Sequence, residues 1–285
     1  MDDLTLALME FDEALRTAKG QKRVEPLMRR LEQSMKKAFW EQGTRFIKKF
    51  RAALRSKFTE GFDGHVDFLT TPLKESITEA DWILIWYEVA AGTEAMFSEP
   101  IEQAVQRALL TGAITSIAEF GMKISFTLDN PRAVTYLQNY GALRVAGIAD
   151  ETQKELRTIL DDAISNGWSY DRAAEAITAK FEQFAVGSPL EHIDSRAHLV
   201  AVTEIGDAYC EGNMLVAQQL QAAGIEVEKS WSTVGDDKVS TTVCKPNEDA
   251  GWIGIDQAFP SGHQRPLGHP GCRCDLMTRV KDSDQ

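Results

Sequence analysis

From Leu27 to Leu54 the apolar residues Leu27, Leu31, Met35, Phe39, Phe46, Phe50 and Leu54 recur at spacings of four or seven. Only an α-helix puts residues so spaced on one face, so this segment predicts a long helix with a single apolar stripe. Arg30, Lys37, Lys48, Arg51 and Arg55 fall largely off that stripe. They read either as a solvated face that keeps the helix in water or as a docking face.

The charge is unevenly placed. The chain has 285 residues and a net charge of −12. Residues 14 to 59 hold 14 Lys and Arg against 3 Glu, a balance of +11, and the remainder therefore sums to −23. Bulk electrostatics excludes a general nucleic-acid binder, yet the basic helix from Val24 to Phe58 can dock on an acidic partner. Lys48, Lys49, Arg51 and Arg55 are the candidate partner-binding residues. DNA on the same face is the second reading.

As far as Gly224 the pattern stays largely helical. Gly61, Gly64 and Pro72 mark residues 61 to 77 as a connection. DWILIWYEVAAGTEAMF predicts a helix, and Ser98 followed by Pro100 predicts the start of another, with Ser98 as N-cap. Asn130 and Pro131 open a helix over NPRAVTYLQNYGALRV, and ADETQKELRTILDDAIS forms a further one that stops at Asn166-Gly167. Ser169 caps the helix SYDRAAEAITAKFEQF, and a last long helix runs from about Asp194 to Ala223, ending at Gly224. Within it, Glu204 can pair with a basic residue, His192 and His198 read as partly buried, and Cys210 as a small core residue.

After Gly224 the composition changes. IEVEKSWSTV alternates as a strand does, GDDK reads as a turn, and VSTTVC is β-branched and predicts a second strand. The remainder is rich in glycine and proline. The expected fold is mainly α, a helical body with a small C-terminal α+β appendage of short strands and turns. Its divisions are 1–60, a basic helical arm; 61–97, a connection and apolar helix; 98–224, a helical core; and 225–285, a Cys/His-rich appendage. Trp231 and Trp252 are the expected anchors of an appendage too poor in apolar residues to order itself by burial alone.

Something must staple that appendage. Cys244, His263, His269, Cys272 and Cys274 are metal-capable side chains in one short region, and the turns of SGHQRPLGHPGCRCDL can bring them together. Three outcomes are open: a structural zinc ion held by the three cysteines and one of the two histidines, a Cys244–Cys272 disulfide, or thiols packed under Trp252. The acidic start lacks the basic leader of a secreted chain, which predicts folding in a cytoplasm, where thiols and metal ligands outnumber disulfides. No phosphate-binding glycine loop, serine elbow, H-E-x-x-H or deaminase signature occurs, and the sequence pairs no nucleophile with a base. No catalytic residue is assigned. A zinc-dependent nuclease or other metalloenzyme built on the Cys/His cluster is the alternative reading.

Six stretches in order, FTLDNPRAVTYLQNYGALRVAGIADETQKELRTIL, NGWSYDRAAEAI, RAHLVAVTEIGDAYCEGN, W-S-T-x-x-D-D-x-V, FPSGH and HPGCRC, resemble the phage head-morphogenesis family, the minor head proteins typified by the Mu-type F protein. The resemblance spans roughly residues 98 to 280. Two positions depart from the family pattern: Cys244 alone follows the D-x-V element, and Val202 stands where the helix usually carries Arg. The resemblance implies a minor capsid protein recruited to the procapsid at the portal vertex. Its partners would be the portal protein, a scaffold or the major capsid protein, with DNA also in reach and no membrane. It would act in the host cytoplasm during assembly and then inside the phage head.

Overall fold

The computed structural model describes residues 3–59, 73, 78–186 and 195–281, with side chains for 22–56, 73, 78–139, 146–186 and 195–281. The connection expected around Gly61, Gly64 and Pro72 and the position of His192 lie outside them. The protein is mainly α with a small C-terminal sheet. Helices α1 (Asp3–Thr59), α2 (Glu79–Phe120), α3 (Pro131–Ser165), α4 (Tyr170–Val186) and α5 (Arg196–Ala222) precede β1 (Val227–Ser232), α6 (Cys244–Asp249), β2 (Ile253–Gly254) and β3 (Asp275–Val280). Among the described residues no helix is long and apolar enough to cross a membrane.

Three helices are longer than their local signals predict. α1 runs through Pro26, and α2 runs through Pro100 without a start at Ser98. Proline removes one backbone donor, but Phe97, Ile101 and Val105 are buried on both sides of Pro100, and packing outweighs the lost bond. The two helices expected between Pro131 and Ser165 form the single α3. Where a stop or start signal is strong it holds: Asn130 Oδ1 caps α3 by accepting from Arg132 N at 3.0 Å, and Gly167 and Gly224 take φ values of +63° and +86°.

The chain divides into two compact units. One comprises residues 33–100 and 140–197. Its core is the expected stripe of α1, with Met35, Phe39, Phe46 and Phe50 fully buried, together with Trp82 and Trp86 of α2. Phe39 meets Phe97 edge-on at 5.1 Å, and Gln42 donates from Nε2 to Thr93 Oγ1 at 3.0 Å in the same layer. A Cβ at Gly43 would lie 2.6 Å from the Phe181 ring, so glycine there lets α1 and α4 close on each other. Arg196 at the start of α5 lies over Phe184 and Phe39 and donates to the Ile148 carbonyl at 3.0 Å.

The other unit comprises residues 1–32, 101–139 and 198–285. At its centre α2 and α5 cross through a reciprocal pair of glycines. A Cβ on Gly112 would stand 2.1 Å from the Tyr209 carbonyl oxygen, and one on Gly212 2.1 Å from that of Leu109. Neither position admits a side chain unless the helices separate. The sheet has the order β2-β1-β3, all antiparallel, with Trp231 opposite Leu276 and Lys229 opposite Thr278. β1 is buried on both faces apart from Glu228, so the alternation read in the sequence overstates its exposure.

VSTTVC forms no strand, contrary to its β-branched composition. Ser240 Oγ accepts from Val243 N at 3.2 Å and Ser240 O from Lys245 N at 2.9 Å, and this turn delivers the chain into α6. A serine that can bond its own backbone overrides propensity here.

Candidate metal centre

α6 begins at Cys244, and the chain returns to it through the loop that precedes β3. Cys244, Cys272 and Cys274 are all buried, and their Sγ atoms lie within 4.8 Å of one another. Cys244 Sγ is 3.7 Å from Cys272 Sγ and 3.3 Å from His269 Nε2. A tetrahedral ion with Zn–S bonds near 2.3 Å needs sulfurs about 3.8 Å apart, so the spacing suits one. All four cysteines of the chain are free thiols, and 3.7 Å is far beyond the roughly 2.05 Å of a disulfide. The buried cluster could hold a metal ion.

The histidine is oriented for this role. His269 Nδ1 lies 3.0 Å from the Pro270 carbonyl, which can only accept, so Nδ1 carries a proton and Nε2 is the nitrogen that faces Cys244. Gly268 sets the approach, because a Cβ there would stand 2.5 Å from Val243 and 3.3 Å from Trp231. Gly271 takes a φ of +72° and donates its N–H to Thr203 Oγ1 of α5 at 3.0 Å, while Cys272 N bonds back to His269 O at 3.1 Å. Pro270 and Gly271 of HPGCRC therefore form a tight turn pinned to α5.

His263 is elsewhere. Its Nδ1 lies 2.8 Å from Ser261 Oγ, which also accepts from Asn247 Nδ2 at 2.7 Å, and Asn247 Oδ1 accepts from Ser261 N at 3.0 Å. FPSGH is thus a bracket that holds α6 to the loop. The W-S-T-x-x-D-D-x-V stretch joins the same place. Glu248 of α6 accepts from Thr233 N and Oγ1, and Arg273 donates to Asp236 of the D-D turn at 2.6 Å. Trp231 is fully buried and meets Phe259 edge-on at 5.3 Å, the anchor expected of it. Trp252 is only half-buried, with the Arg279 guanidinium 4.3 Å from its ring centroid.

The electrostatics favour a cation. Hydrogen bonds from Cys244, then Cys274 and His269, hold the Cys272 thiol far below its usual value against the opposing effect of burial. The same sharing pushes Cys244 up to about 11 and raises Cys274. A divalent cation would replace the thiol protons and leave three thiolates and a neutral imidazole.

Two features of this region were not read in the sequence. Arg265 reaches α5, where its guanidinium takes Asp207 at 2.6 and 3.2 Å and Glu211 on a third edge, and Tyr136 donates to Asp207 at 2.9 Å. Burial opposes its charge, but the two carboxylates outweigh burial and hold it above its ordinary value. Lys229 is fully buried in β1, donating to Gln264 O at 2.8 Å and Oε1 at 3.2 Å over the Phe259 ring. Burial pulls its pKa down to about 8. Neither has a local signature, since each partner lies 35 or more residues away. Beside the cluster a cavity of about 310 Å³ is lined by His198, Tyr209, Cys210, Cys272, Cys274 and Asp275. Cys210 is buried among them, as expected of a core residue.

The four basic candidates of α1 divide. Lys49 is bonded to Glu88 of α2, whereas Lys48, Arg51 and Arg55 line one open groove.

Comparison with protein-family models, with curated proteins and with solved structures finds no match.

Proposed function

We propose that this chain is a structural protein of the phage head-morphogenesis kind, whose C-terminal part closes on one zinc ion held by Cys244, His269, Cys272 and Cys274. The observation that carries the structural reading is the donor set: three mutually close buried sulfurs, with His269 Nε2 3.3 Å from one of them, Cys244 Sγ. Four protein donors fill a tetrahedron, which is the arrangement of structural rather than catalytic zinc. The ion would supply folding energy and nothing to a substrate. Of the stretches that resemble the head proteins, W-S-T-x-x-D-D-x-V, FPSGH and HPGCRC lie around this cluster and bond to one another or to α6, which gives their order along the chain a shared purpose.

As a minor head protein it would be recruited from the host cytoplasm into the procapsid, bind the portal, scaffold or major capsid protein, and remain in the head near the packaged DNA. The test is co-expression with the portal protein of the same gene cluster. Co-purification with portal rings, with about one zinc per chain in metal-free buffer, is expected. Absence from the rings, together with metal-dependent cleavage of DNA that Cys272→Ser abolishes, would replace this reading with the nuclease.

A further inference from the structure

α1 has a second face. Trp40, Thr44, Ile47, Lys48, Arg51 and Arg55 repeat at the spacing of one helical stripe, separate from the buried stripe of Phe39, Phe46 and Phe50. Together with Thr178 and Phe181 of α4 they line a groove of about 650 Å³ within the unit of residues 33–100 and 140–197. From Trp40 to Arg55 the stripe is about 22 Å long at 1.5 Å per residue, or four turns of helix.

The groove is apolar in its floor and charged along one wall. Ile47, Ala52 and Phe181 supply the floor, and Trp40 stands 46% exposed at one end, a large ring left in water. Lys48, Arg51 and Arg55 are exposed on the α1 side, and among the described residues no carboxylate lines the groove. On α4 the face of Thr178 continues into Glu175 and Glu182, three and four residues away and both exposed. Outside the groove's lining, α4 therefore exposes carboxylates near Thr178, whereas the α1 side of the groove itself is basic.

We infer that this groove binds an amphipathic helix of a partner protein whose apolar anchors enter the floor and whose acidic flank lies against Lys48, Arg51 and Arg55. The commitment to a peptide helix follows from the floor, which offers aliphatic side chains and a single exposed ring. Single-stranded nucleic acid needs a series of stacking platforms and cations on both sides of the strand. The α4 side of the lining, Thr178 and Phe181, supplies no cation for a second acidic flank or a phosphate chain. Charge complementarity thus sets both the kind of partner and its orientation. The inference does not depend on the head-protein reading, because it uses no residue of the metal centre.

The test is selection from a displayed library of helical peptides with apolar residues fixed at i, i+3, i+7 and i+10 and all other positions random. The expected result is enrichment of Asp and Glu along one flank only. Purified peptides should bind the K48E/R51E/R55E variant on the order of tenfold more weakly. Because Arg51 also donates to Tyr170 at 3.0 Å, K48E/R55E and Trp40→Ala are measured beside it, and both must weaken binding while the helical circular dichroism is unchanged. Enrichment without acidic bias, or peptides that bind all three variants as they bind the parent, overturns the inference. So does tight, salt-sensitive binding of a single-stranded oligothymidylate that the triple variant abolishes.

Discussion

The described residues of 33–100 and residues 225–281 are ordered by different means. In the first, Phe39, Phe46, Phe50, Trp82 and Trp86 are almost wholly removed from water, each contributing about 1.5–3 kcal/mol of burial, and the charges stay at the surface. In the second, Val227, Trp231, Ile255, Phe259, Leu276 and Met277 form a much smaller apolar set, and much of the buried interior is polar: Lys229, Asn247, Asp275 and three cysteines. A core of aromatics loses stability in proportion to what is removed. A network of polar partners fails when one member goes, because the others remain buried without it.

The contrast can be broken at its polar end first. Cys272→Ser removes the one sulfur that the other donors share, and the expected outcome is loss of the zinc and opening of the last sixty or so residues, since structural zinc is worth on the order of 10 kcal/mol. The helical circular dichroism should fall only slightly. An undiminished zinc content in that variant would remove Cys272 from the ligand set. Phe46→Ala, on the apolar side, is expected to lower the unfolding free energy by about 3–5 kcal/mol while leaving zinc bound, measured by denaturant titration of the metal-loaded protein. If it releases zinc as well, the two regions are not ordered separately.

Arg265→Met should cost about 3 kcal/mol, because it strands Asp207 and the part-buried Glu211 as neighbouring like charges. Adding Asp207→Asn and Glu211→Gln should recover part of it, and a triple variant no better than the single would show that the guanidinium matters for shape rather than charge. A comparable effect, reached only at high pH, belongs to Lys229. Its folded pKa of about 8 lies below the unfolded value near 10.5, so between these the unfolded chain binds more protons and stability rises with pH, by up to about 3 kcal/mol. Below pH 8 the cost of burying the ammonium is constant. The difference between the parent and Lys229→Met, followed from pH 8 to 10.5, isolates this rise, and a difference that stays flat would place the amine in water.

Legibility in the sequence divides along the same line. The stripe of α1, the stops at Gly167 and Gly224, the strand around Trp231 and the three-cysteine set are readable because periodicity and glycine signals are local. Pro100 and the junction in α3 read falsely as boundaries because a local breaker cannot register the buried side chains on both sides of it. VSTTVC reads falsely as a strand because one hydroxyl of Ser240 outweighs a β-branched run. The choice of His269 over His263 is beyond the sequence. Both precede or follow glycines and prolines, and only the turn that hands Gly271 to Thr203, with the bracket that hands Ser261 to Asn247, separates them. β3 escapes because DLMTRV carries little alternation and takes its place from pairing with β1 more than forty residues earlier.

The central claim is that a metal ion closes the C-terminal part of the chain, and limited proteolysis with and without a zinc chelator tests it most directly. Chelation is predicted to expose new cleavage sites confined to residues 225–281, added zinc to remove them, and Cys272→Ser to show them in both conditions. Cleavage of residues 225–281 that is the same with zinc, with chelator and in the variant would contradict it.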